Sequence, residues 1–257
     1  MKEIDISSCP VIGRGGAGTV YRLDEDKIVK VYHPDMKLES VQRERELARA
    51  AIVSGIPSVI PYDTVRCGES YGIVFEMIAS DTLGHAFANN PDKIEEYVDR
   101  YVAFVKELHS VHLKQDSFED LKTVLHRAVP GLSDCLGVDE LDLLNSLIDS
   151  IPDGDSLIHG DLHPGNIMVQ DDTLLLIDLD SASRGAKVWE LAALFRALDQ
   201  NRLSPKRMQL LMSGQRARLA LVETKKLASD GVTISFVPDR RPQTCPECPH
   251  GKETAVL

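Results

Sequence analysis

Leu157-Ile158-His159-Gly160-Asp161-Leu162-His163-Pro164-Gly165-Asn166-Ile167-Met168-Val169 is the stretch on which the reading of this 257-residue chain turns. It sets His159, Asp161 and Asn166 in the pattern H-x-D-x-x-x-x-N, between two short apolar runs. A carboxylate at Asp161 can accept or orient the proton of an attacking hydroxyl, and the Asn166 amide oxygen is a hard donor suited to Mg²⁺. Substrate phosphates and waters complete the shell of that ion, so one Asn and one further carboxylate suffice. Twelve residues beyond Asn166 the apolar run Leu174-Leu175-Leu176-Ile177 ends in Asp178-Leu179-Asp180. Asp178, directly after the run, is the expected metal carboxylate. Asp180 is an accessory on the same side if the strand continues. His159 and His163 read as scaffold residues of the loop.

Upstream, Gly13, Gly15, Gly18 and Val20 fit G-x-G-x-x-G-x-V. Glycines there let the backbone approach a polyphosphate and aim its N–H groups at the oxygens. A dinucleotide-binding glycine loop runs from a strand into a helix, whereas both flanks here read as strands. That is the strand–loop–strand placement of kinases. Lys30, twelve residues after Gly18, sits on the next strand, where its ammonium can reach α- and β-phosphates. It needs a carboxylate partner from the following helix. At about 100° per residue, Glu44 lies about 60° from Val41, at the edge of the stripe made by Val41, Ala48 and Ile52. Glu46 lies about 140° away, towards water. Glu44 is therefore the expected partner.

Alternation predicts strands at 19–23, 27–32, 64–67 and 71–78, with a helix over 37–54 that stops at Gly55. From residue 81 the period becomes 3.6. One stripe comprises Ile94, Tyr97, Val98, Tyr101, Val105, Leu108 and His112, and a second comprises Val138, Leu141, Leu144, Leu147, Ile148 and Ile151. Helices are expected to begin near Val188 and Pro205. The expected fold class is α+β in two lobes. A small antiparallel β lobe with one helix, residues 1–80, binds the nucleotide. A larger, mainly helical lobe, residues 81–237, carries the catalytic and metal loops, and 238–257 form an irregular tail.

The composition, 43% hydrophobic and 27% charged, is that of a globular protein rather than a disordered or fibrous one. No apolar run is long enough to span a bilayer, and Met1-Lys2-Glu3-Ile4-Asp5-Ile6 lacks a secretory leader, so a cytoplasmic location is expected. A net charge of −11 excludes a general nucleic-acid binder. Residues 92–155 hold 15 acidic against 6 basic side chains, whereas 202–226 hold 7 basic and one acidic. Both runs read first as solvated helix faces, although the acidic one suits an amine-bearing acceptor. Five scattered cysteines do not form a disulfide framework. Cys245, Cys248 and His250 make half of a zinc set with no second pair, and read as part of an unligated tail.

Together these motifs resemble the aminoglycoside phosphotransferase and choline-kinase-like family, the small-molecule branch of the protein-kinase-like fold. The resemblance covers about residues 8–200. It implies ATP or GTP as cosubstrate with Mg²⁺ on Asn166 and Asp178. It further implies adenine bonded to backbone near Glu76 and Ile78, and phosphoryl transfer to a hydroxyl of a small molecule at Asp161. The family usually has Asp where this chain has Glu190, so that position is given no catalytic role. Gly160 stands where a protein kinase has the arginine of H-R-D. Only eleven residues separate Asp178 from Glu190, with no A-P-E following, so a peptide acceptor is disfavoured. A nucleotide-binding regulatory protein without turnover is the alternative, and the intact set of Lys30, Asp161, Asn166 and Asp178 counts against it.

Overall fold

Two hairpins start the chain's main sheet. β2 (Val11–Arg14), β3 (Gly18–Arg22) and β4 (Lys27–Tyr32) run antiparallel, and an Asp24 side chain accepts the Asp26 N–H in the tight turn between the last two. In this computed structural model, which describes residues 1–114 and 116–191, α1 (Leu38–Val53) then crosses over. It leads to β5 (Pro61–Cys67) and β6 (Ser70–Glu76), while β1 (Lys2–Glu3) lies parallel to β5 at the edge. The six-stranded order is β1-β5-β6-β4-β3-β2.

Period-two alternation divides the side chains of this sheet. Val29 and Val31 join Val65, Cys67 and Val74 on one face, under Ile4 and Ile6. Tyr32 and Ile73 meet Val41 of α1 on the other. Lys30 alternates with Val29 and Val31, and so is directed to the α1 side. The expected strand over 71–78 ends at Glu76 instead. The Ile60 N–H, which a continuing ladder would occupy, is taken by Glu76 Oε1 at 2.7 Å, and Met77 turns to bond Asp26. β5 begins three residues ahead of its expected start, at Pro61, where a strand needs no N–H from its first residue.

Within α1 the buried residues are Val41, Glu44, Leu47, Ala48 and Ala51. Ile52, expected on that stripe, is 37% exposed in the last turn, beside the open Val53. Beyond the sheet come α2 (Leu83–Asn89), capped by Thr82, α3 (Ile94–Leu108), α4 (Leu121–Ala128), capped by Asp120, and α5 (Val138–Ser150). Two small antiparallel pairs follow. β7 (Ser156–Ile158) pairs with β10 (Ser183–Gly185), and β8 (Ile167–Gln170) with β9 (Thr173–Leu176).

The stripe of α3 buries Val98, Tyr101, Phe104, Val105 and Leu108. His112 does not join it, because the helix stops at Leu108; its side chain is exposed and faces Asp155. The expected apolar stripe of α5 is not a core stripe either. Only Ile148 is buried, and Val138 and Leu147 are open. That helix meets α4 through polar groups, with His126 between Asn145 and Asp149 at 2.8 Å each.

One apolar cluster joins Leu47, Ala48 and Ala51 of α1 and Ile56 to residues of α2, α3, β7, β8 and β9, including Leu174 and Leu176, and to Leu179 in the turn that follows. Backbone bonds stitch the same junction: Leu176 N–H to Pro57 carbonyl, Val59 N–H to Leu176 carbonyl, and Val169 N–H to Asp81 carbonyl. A helix opens at Val188 and is described to Leu191. The expected basic helix, the tail over 238–257 and its cysteines lie outside the described residues.

Gly18 is demanded by packing. A Cβ there would fall 2.1 Å from the Val31 carbonyl oxygen, in the facing strand. At Gly15 and Gly16 a Cβ would meet nothing within 4 Å. Gly18→Ala is therefore expected to lower the thermal midpoint sharply, by a free energy of about 2 kcal/mol or more. Gly15→Ala should leave it within about 0.5 kcal/mol of wild type. Equal melting of the two variants contradicts the assignment.

Candidate active site

Because Lys30 is directed towards α1, its ammonium meets Glu44 Oε1 at 2.8 Å. Glu44 is 4% exposed, whereas Glu46 is exposed and bonds Arg45. The same Nζ reaches Asp178 Oδ1 at 2.6 Å, across 148 residues of sequence. The Tyr32 ring, two residues along the same face, lies 5.0 Å below that nitrogen. Burial works against the Lys30 charge, but the two carboxylates outweigh it and hold its pKa above the ordinary value. Burial raises the Glu44 carboxyl, and Lys30 offsets only part of the rise.

Asp178 does not continue β9. The strand ends at Leu176, and Asp178 takes a left-handed backbone, φ 63°. The two aspartates are thus not same-side residues of one strand; the turn brings them together instead. Glu44, Asp178 and Asp180 each offer an oxygen within 4.8 Å of the others.

His159, fully buried, ties this turn to the Asp161 loop. Its Nε2 bonds the Ile177 carbonyl at 3.0 Å and its Nδ1 faces the Asp161 N–H at 3.3 Å. One donating and one accepting nitrogen describe a neutral ring, and burial holds its pKa below the ordinary value. Asn166 donates through Nδ2 to the Asp161 carbonyl at 3.0 Å and to its carboxylate at 3.3 Å. Its amide oxygen is thereby turned away from Asp161. An amide oxygen and the Asp178 carboxylate are hard donors, a fit for Mg²⁺ rather than for zinc. His163 accepts the Gly165 N–H and lies 3.5 Å from Asp161. That neighbour holds the Asp161 carboxyl below its ordinary pKa, so the group is anionic at neutral pH.

Of the nucleotide positions, Gly13 and Val20 face one another across β2 and β3, and Val20 pairs with Lys30. Gly15 and Gly16 stand in open space, so what they leave room for is not another part of the described chain. The Ile78 N–H forms no hydrogen bond among the described residues, and Glu76 sits at the end of β6.

Three features of this candidate site were not legible in the sequence: Tyr32 beneath Lys30, the Lys30–Asp178 contact, and the burial of Glu190. Period two on β4 is a signal for the first. Glu190 is fully buried, and its Oε2 accepts the His159 N–H. Burial pushes its pKa up to about 7, although the N–H groups of His159, Gly160 and Leu162 favour the anion. Between the ordinary 4.5 and about 7 the folded chain keeps a proton that the unfolded chain has lost. Stability from this group therefore falls as pH rises through that window. Relative to wild type, Glu190→Gln should gain thermal midpoint from about pH 5 to about pH 8; a flat difference contradicts this.

The acidic run is partly committed. Glu119 pairs with Arg127 and Arg43, Asp120 with Arg184, Asp153 with Lys122, and Glu140 caps α5. Fewer free carboxylates face a cation than the count of 15 suggests.

Residues 8–220 match the family model APH, described as the phosphotransferase enzyme family. Among solved structures, the chain is similar to a thermostable mutant of aminoglycoside phosphotransferase APH(4)-Ia in its apo form. The identity is 13% and the TM-score 0.59, over 87% of this chain and 80% of that one. It is also similar to an aminoglycoside-3'-phosphotransferase of type VIII, at 18% identity and TM-score 0.58, over 88% of each chain. A third is aminoglycoside phosphotransferase APH(3'')-Id from Streptomyces rimosus, at 19% identity and TM-score 0.53, over 88% and 87%. At these identities the likeness establishes the fold, which is protein-kinase-like. No curated protein sequence matches the chain.

Proposed function

The chain belongs to the phosphotransferase enzyme family, and from that premise we propose that it moves the terminal phosphoryl group of ATP or GTP onto a hydroxyl of a small molecule. The observation that carries the reading is the approach of Lys30 to Asp178 at 2.6 Å, which joins the glycine-loop sheet to the Asp161 loop in one site. Lys30, held by Glu44, is the nucleotide's phosphate ligand, and Gly13, Gly15, Gly18 and Val20 form its roof. Glu76 and Ile78 offer backbone to the base. Asn166 and Asp178 are the residues that would hold Mg²⁺, which when bound neutralises phosphate charge. Asp161, anionic and exposed, orients the acceptor hydroxyl and takes its proton as the new O–P bond forms and the terminal P–O bond to the departing nucleoside diphosphate breaks. In-line geometry and charge neutralisation supply most of the rate, so little else is required of the chain.

An assay coupled to nucleoside diphosphate release, run with Mg–ATP and Mg–GTP against amino sugars, choline, neutral sugars and homoserine, tests this. Turnover with at least one acceptor is expected. Nucleotide-dependent stabilisation without turnover across the panel favours a regulatory binding protein. Transfer to peptides alone favours a protein kinase.

A further inference from the structure

We propose that His33 is a positioning residue for the glycine-rich loop, presetting its N–H groups for the phosphates of the nucleotide; this rests on the phosphotransferase reading. His33 follows β4, three residues after Lys30. Its backbone N–H donates to the Ala17 carbonyl at 3.2 Å, and its ring Nε2 lies 3.1 Å from the Gly16 carbonyl. A carbonyl can only accept, so Nε2 carries the proton.

Both partners are carbonyls of the loop, and that sets the consequence. In a trans peptide the C=O and the following N–H point in opposite directions, and the described chain has no cis bond. Holding the Gly16 and Ala17 carbonyls against His33 therefore turns the Ala17 and Gly18 N–H groups away from it. Gly15 N–H, bonded to the Gly18 carbonyl at 2.9 Å, closes the loop across its base. A loop with glycine at 15, 16 and 18 has little conformational preference of its own. The backbone bond of residue 33 survives every substitution but proline, so the ring is the part of this anchor that other substitutions change. Since Lys30 and His33 share one strand end, the anchor also fixes the loop relative to the ammonium that meets the same phosphates.

The test uses the full chain and Mg–ATP. His33→Ala should raise the dissociation constant and KM for Mg–ATP about threefold to tenfold, the range of one lost hydrogen bond. The acceptor KM and the thermal midpoint of the nucleotide-free protein should stay near wild type. His33→Gln, whose amide can still donate to Gly16, should recover most of the loss, and His33→Phe should not. Without nucleotide, backbone ¹⁵N order parameters at Gly16 and Ala17 should drop in His33→Ala. Wild-type affinity and order parameters in His33→Ala overturn the inference. A wild-type chain that binds no nucleotide, yet loses loop order in His33→Ala, keeps the anchor and overturns the phosphotransferase reading instead.

Discussion

Asp161→Asn is expected to cut phosphoryl transfer by about 10²- to 10⁴-fold, the range for loss of a general base, with Mg–ATP affinity nearly unchanged. The carboxylate is the only feature removed. Its backbone carbonyl still receives the Asn166 amide, and its backbone N–H still faces His159. The side chain is largely solvent-facing, 63% exposed, so the fold should lose no more than about 0.5 kcal/mol. An amide of the same shape can neither take the hydroxyl proton nor carry the charge that His163 stabilises. Single-turnover kinetics with a cognate acceptor separates chemistry from binding. A variant within tenfold of wild type removes Asp161 from the mechanism.

Lys30→Met should fail in two ways that can be told apart. Transfer is expected to fall by at least 10²-fold, because the phosphate ligand is lost. The fold should also lose about 3 kcal/mol, the low end of the cost of stripping a buried carboxylate of its counterion. Glu44 is that carboxylate, and Asp178, 39% exposed, suffers far less from the loss. The deficit has a pH signature. Burial already raises the Glu44 pKa, and without Lys30 only the Tyr32 hydroxyl is left to offset the rise. The folded variant then holds a proton the unfolded chain has released, so its stability falls as pH rises and recovers as pH drops. Adding Glu44→Gln should restore the melting temperature and leave transfer abolished. Chemical denaturation of the single and double variants reads the first effect, and the coupled assay the second.

What the sequence disclosed, and what it withheld, follows from the range of the interactions. Helical geometry separated Glu44 from Glu46, because three and five residues along one helix are a local relation. The same reasoning misjudged Ile52 and the α5 stripe. Periodicity says which residues share a face, but not whether anything covers it. Asp178 stands out in the sequence by its place after an apolar run, yet its left-handed turn and its contact with Lys30 depend on how distant strands come together. Glu190 was noticed only as a departure from the Asp usual in the family. Its burial against the His159 loop is a tertiary fact with no local signature.

The shared apolar cluster that links Leu47, Ala48 and Ala51 to Leu174, Leu176 and Leu179 constrains movement as well as stability. Swinging α1 outward would expose those side chains together with Ile56, at a cost on the order of 5 kcal/mol, and would break the main-chain bonds at Pro57 and Val59. The thermal population of such an open arrangement is on the order of one molecule in several thousand. In all but that small fraction Glu44 stays beside Lys30, and the pair comes assembled with the fold.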